Sequence, residues 1–92
     1  MDDETLKKYA YVNISSYRKK AVKSLNDDMK ITTQLAADTG IRRNHISKVL
    51  RELKEKGVVE CINEEAKRGR LYRLTKVGED IADKIDDWNF YF

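Results

Sequence analysis

The chain has 92 residues, 40% apolar and 38% charged, with a formal net charge of +3. That length suits one small domain with a modest core, helped by partner burial or a dimer interface, and the balance suits a folded domain with a heavily charged surface. No run is long and apolar enough for a bilayer span, Met1-Asp2-Asp3-Glu4 is the opposite of a basic signal-peptide start, and a single cysteine, Cys61, excludes an internal disulfide or a multi-cysteine zinc site. A cytoplasmic protein is the expectation.

In chain order, residues 1–13 are an extension that the pattern leaves open. LKKYAYV fits one or two helical turns or a short extended stretch behind a frayed acidic start. Ser15 or Ser16 caps a helix in which Ile14, Tyr17, Ala21, Val22 and Leu25 recur at helical spacing, with Arg18, Lys19, Lys20 and Lys23 on the outer, solvated side. Asn26-Asp27-Asp28 ends it, and Met29-Lys30-Ile31 reads as a minor strand or a packed linker.

Thr32 caps the next helix, with Leu35 and Ala36 on its core side. Ala36 is small enough for two helices to approach closely, and Gly40 supplies a positive φ in the turn that follows. A second helix runs from about Arg42 to Lys56. Its Ile46, Val49, Leu50 and Leu53 follow the spacing of one buried face, while Asn44, Lys48, Arg51 and Glu55 occupy the opposite one, with Arg43 and Ser47 beside them near the helix start. Lys54 and Lys56 suit the dipole at its C-terminus and Gly57 is placed to end it.

VVECI then reads as a strand, NEEAKRG as a polar turn and RLYRL as a returning strand. Thr75 caps a last helix with an apolar stripe of Val77, Ile81, Ala82, Ile85 and Trp88 and an acidic face of Glu79, Asp80, Asp83, Asp86 and Asp87. The chain reads as one domain over 1–92, mainly α with a small β-hairpin. Residues 41–73 carry ten Lys/Arg against five Asp/Glu, a balance of +5, so the remainder carries −2. A basic patch of that kind is the electrostatic footprint expected for phosphate backbones.

LAADTGIRRNHISKVLRELKEKGVVEC followed by KRGRLYRLTKVGEDI resembles the winged helix-turn-helix domains of bacterial and archaeal transcription regulators, in the broad MarR/ArsR-like sense. The resemblance spans about residues 14–87, and Arg68-Gly69-Arg70 looks especially like small archaeal members. It implies the order helix-helix-helix-strand-wing-strand-helix and sequence-specific binding of double-stranded DNA. The helix at about 42–56 would lie in the major groove, and the 63–70 wing on the minor groove or its phosphates. Winged helices also serve as protein- or RNA-interaction modules in larger complexes, which is the alternative reading.

Carried onto this chain, the resemblance makes Arg43, Asn44, Ser47 and Lys48 the base-reading candidates, because Arg pairs bidentately with guanine and Asn with adenine. Thr33, Arg42 and Arg51 would meet phosphates. Lys67, Arg68, Arg70 and Arg73 form the wing's contact set. For each group the plain alternative is a solvated charged surface. His45 has no ligand partners and suits a flanking or packing role; Cys61 reads as a buried, inert thiol.

The tail Trp88-Asn89-Phe90-Tyr91-Phe92 puts four aromatics in five residues. It either folds back against Tyr9, Tyr11 or Tyr17 or joins a second subunit, and a homodimer is the favoured reading, with two reading helices about one DNA turn apart. Larger regulators of this type add long dimerisation helices or a ligand domain that this chain lacks, so no small-molecule ligand is expected. No glycine-rich phosphate loop, nucleophile with a matched base or metal-ligand cluster is present, which argues against an enzyme and against a cofactor.

Overall fold

The computed structural model describes residues 2–26 and 28–89, with the backbone alone for 86–89. Its elements are α1 (Asp3–Asn13), α2 (Ser16–Ser24), β1 (Lys30–Ile31), α3 (Thr32–Thr39), α4 (Arg43–Glu55), β2 (Val59–Cys61), β3 (Leu71–Leu74) and α5 (Lys76–Asn89). The stretch that the sequence left open is thus a helix. The Asp2 carboxylate accepts from the Thr5 amide at 2.8 Å, and Asp3 and Glu4 sit in the first turn, where negative charge suits the dipole. Only Val12 of α1 is fully buried, so its apolar stripe is too thin to announce a helix. Contacts with α2 and α5 hold it in place.

Ser15 caps α2, its hydroxyl accepting from the Arg18 amide at 3.3 Å, and Ala21, Val22 and Leu25 enter the core. Ile14 and Tyr17 do not. Ile14 closes α1 rather than joining α2 and is 80% exposed, so helical spacing counted from it fails. Arg18 is not on an outer basic face either. Its Nη1 donates to the Tyr11 carbonyl at 3.0 Å, its guanidinium lies 3.7 Å from the centre of the Tyr11 ring, and its Nη2 stands 3.7 Å from the Glu52 carboxylate. This one side chain ties α1 and α2 to α4.

Residues 30–31 are the minor strand: Lys30 pairs with Tyr72 and Ile31 with Leu71, making a three-stranded antiparallel sheet in the order β1-β3-β2. Because Ile31 is held extended in that strand, it stands at the N-cap of α3, and the expected cap Thr32 becomes the first helical residue. Gln34 takes over the capping work, its Oε1 accepting from the Ile31 amide at 3.0 Å.

In the turn between α3 and α4, Gly40 has φ +73° and donates to the Ala36 carbonyl at 3.0 Å. Thr39 locks the corner, with Oγ1 donating to Leu35 O at 2.6 Å and accepting from the Ile41 amide at 3.2 Å. Ile41, Ile46, Val49, Leu50 and Leu53 then close over Leu35, Val22 and Leu25 in one core, which Val58, Ile81, Ala82 and Ile85 complete. Among the described residues no polar or charged side chain is fully buried.

Thr75 opens α5 as expected, and it also anchors the helix. Its hydroxyl accepts from the Gly78 amide at 3.1 Å and donates to the Gly57 carbonyl at 2.6 Å, joining the start of α5 to the end of α4. Thr75→Ala is expected to lower unfolding stability by about 1–2 kcal/mol in urea titrations, and Thr75→Ser to retain most of it. Ile81, Ala82 and Ile85 are buried, Val77 packs beside them, and Glu79, Asp80 and Asp83 face solvent. The side chains of Asp86, Asp87 and Trp88, and all of Phe90, Tyr91 and Phe92, lie outside the described residues.

Candidate nucleic-acid interface

Burying Ile46, Val49, Leu50 and Leu53 turns the other side of α4 outward, and Arg43, Asn44, Ser47, Arg51 and Lys54 share that side because they recur at three- and four-residue steps. Facing them is the wing. β2 and β3 pair Val59 with Leu74, Glu60 with Arg73 and Cys61 with Tyr72, and Ile62 N donates to Leu71 O at 2.8 Å. Beyond that rung the loop is braced by Asn63. Its Oδ1 accepts from the Leu71 amide at 2.7 Å and its Nδ2 donates to the Gly69 carbonyl at 3.2 Å. Ala66 N donates to Asn63 O and Arg70 Nε to Ala66 O, both at 2.9 Å. The tip therefore has a defined shape of its own.

Between helix and wing runs an open groove of about 1030 Å³, floored by Ile31, Thr32, Thr33 and Tyr72. Arg43, Arg51 and Lys54 stand on one wall and Lys67, Arg68 and Arg70 on the other, with Asn44 and Ser47 among them and no carboxylate in the lining. Walls of one sign on both sides focus a positive potential into the cleft. Among the described residues, Lys54 alone of these cations forms an ion pair, with Glu64 at the root of the wing loop. The hydrogen bond from Lys54 holds the Glu64 carboxyl below its usual range, and the same bond pushes the Lys54 ammonium up.

The structure thus brings together Thr33, Arg43, Asn44, Ser47, Arg51, Lys67, Arg68 and Arg70 from the sequence-derived set. Arg42, at the N-cap of α4, and Lys48 are exposed but do not line the groove. Arg73 lies on the other face of the sheet, one residue out of step with Tyr72, and its Nε donates to Glu60 across the strands. His45 is exposed and meets Tyr17 edge-on, ring centres 5.9 Å apart, a flanking position. Cys61 is half-buried rather than enclosed, because the short strand β2 leaves it at the wing root with Sγ 3.6 Å from Asn63 Oδ1.

Thr32, Lys54 and Tyr72 also line this groove, and Asn63 and Glu64 stand at the wing root beside it; none of the five was named from the sequence as a contact residue. Lys54 was legible, since it follows Arg51 by three residues on the same helical face. Tyr72 could have been reached by strand alternation from Arg70. Asn63 and Glu64 carried no local signal beyond a polar turn.

No helix among the described residues is long and apolar enough to cross a membrane, and no cluster of His, Cys, Asp or Glu there has a metal-binding arrangement. The chain matches no protein-family model and no curated protein sequence. Solved structures do match. A MarR family transcription regulator superposes with a TM-score of 0.77 at 24% identity, over 95% of this chain and 59% of its own. The adhesin competence repressor AdcR from Streptococcus pyogenes gives 0.76 at 16% identity, over 94% of this chain and 65% of its own. A possible transcriptional regulator for arsenical resistance gives 0.66 at 28% identity, over 91% and 84%. The chain therefore spans about three fifths of the length of the first two proteins. Among the described residues, five helices, a three-stranded antiparallel sheet and a wing beside the exposed face of α4 make a winged helix-turn-helix fold like that of these MarR-like regulators.

Proposed function

We propose that this chain is a sequence-specific double-stranded DNA-binding protein, a transcription regulator that works in the cytoplasm as a homodimer, without a cofactor. α4 enters the major groove, where Arg43, Asn44, Ser47 and, at its edge, Lys48 read bases. Thr33, Arg42 and Arg51 meet phosphates, as do the first amides of α4, which no side chain caps. Lys67, Arg68 and Arg70 lie along the minor groove or its flanking phosphates. Arg73, turned to the other face of the sheet, is left out of the contact set. The observation that carries this reading is the groove with cations on both walls and no carboxylate in its lining.

The direct test is fluorescence anisotropy of a labelled random-sequence duplex, titrated at several salt concentrations. Affinity is expected to fall steeply with salt, the slope of log K against log salt being about 0.9 per phosphate neutralised. Arg68→Ala with Arg70→Ala is expected to weaken every duplex alike and to flatten that slope by up to about two contacts. Absence of binding at low salt would overturn the proposal, and a pull-down would then look for a protein partner.

A further inference from the structure

Six cations line the groove, and among the described residues the Glu64 carboxylate, from outside the lining, pairs with Lys54 and also feels the charge of Arg70. Lys54 stands in the last turn of α4 and Glu64 in the loop that starts the wing, so their ion pair crosses from one wall to the other. Both side chains are about half exposed, 43% for Lys54 and 58% for Glu64. An ion pair in that setting adds little to folding stability, because water screens it and two long side chains lose freedom. Glu65, the next residue, is exposed as well, and no pairing of its side chain with Lys54 accompanies that of Glu64. The wing already has its own bracing through Asn63 and Arg70, so it does not depend on the pair for its shape.

Resting on the DNA-binding reading above, we propose that Glu64 is a phosphate mimic: its carboxylate occupies the place on Lys54 that a DNA phosphate oxygen takes when the duplex is seated between α4 and the wing. Binding is then an exchange of one oxyanion for another on the same ammonium. A duplex seated in both grooves presents a phosphate at that point and displaces Glu64. A polyanion that touches only the wing or only α4 leaves the pair closed and finds one fewer cation. Glu64 thereby lowers affinity for a duplex that spans both walls by the free energy of the pair it must break, and tunes the strength and salt dependence of binding without touching a base.

The test compares wild type with Glu64→Gln, Glu65→Gln and the double variant Lys54→Ala/Glu64→Gln, by anisotropy on a random-sequence 20-bp duplex at four salt concentrations. Glu65→Gln makes the same change in net charge one residue away. Glu64→Gln is expected to bind roughly two- to fivefold more tightly at low salt. It should also steepen the salt slope by up to about 0.9 as Lys54 becomes a full phosphate contact. Removing Lys54 as well is expected to return the slope to the wild-type value. If Glu65→Gln changes affinity and slope as much as Glu64→Gln does, only net charge is at work and the mimic is overturned while DNA binding stands. If Glu64→Gln binds more weakly, the carboxylate braces the wing instead, and again the mimic alone is overturned. Failure of wild type itself to bind at low salt would overturn both readings.

Discussion

Gly78→Ala is expected to destabilise the fold by about 3 kcal/mol, a large share of the roughly 5–15 kcal/mol that holds a domain of this size together. A Cβ at position 78 would stand 2.1 Å from the Val58 carbonyl oxygen and 3.2 Å from Leu74 Cβ and Cδ2. The oxygen cannot step aside cheaply. It accepts from the Thr75 amide at 3.0 Å, and Val58 itself is fully buried. In an ordinary helix interior the same substitution gains about 1 kcal/mol from propensity, so the local and tertiary effects have opposite signs and the clash decides. Urea denaturation should show a lower midpoint with an unchanged m-value. A variant as stable as wild type would mean that α5 can lift away from Val58 and β3 at no cost.

Arg43→Ala and Asn44→Ala are expected to act on sequence preference rather than on folding. Both side chains are exposed on the face of α4 that lies away from Ile46 and Leu50, so stability should stay within about 0.5 kcal/mol of wild type. Loss of one bidentate base contact removes about 1–3 kcal/mol of discrimination, roughly five- to 150-fold at one base pair, with other positions read as before. After selection of a preferred duplex, competition with single-base variants of it measures this directly. Arg43→Lys sharpens the test, because it keeps the charge and loses the planar fork. If either alanine variant weakens all duplexes equally, that residue meets a phosphate and the base-reading assignment fails.

The two halves of the molecule were not equally legible in the sequence. α4 could be read because its thirteen residues separate Ile46, Val49, Leu50 and Leu53 cleanly from Arg43, Asn44, Ser47 and Arg51. The turn could be read because a glycine at position 40 has a specific conformational use. α1 could not, because it is stabilised by what packs on it and shows one fully buried side chain. Thr32 was misplaced as a cap for a related reason: the pairing of Ile31 with Leu71, distant in sequence, fixes where α3 begins. At the groove, the residue types on α4 and the wing stood out in the sequence, and the structure places them on two facing walls. The partners of Arg18, Lys54 and Arg73 are set by tertiary approach, and no local pattern encodes them.

Asn63 has a thermodynamic consequence for the proposed complex. By holding Gly69 and Leu71 while Arg70 holds Ala66, it fixes the backbone of the wing in the free protein. Ordering a loop residue costs about 1–2 kcal/mol of conformational entropy, and here that cost falls on folding rather than on association. A wing that arrives already shaped takes up a duplex without the large negative heat-capacity change of segments that fold as they bind.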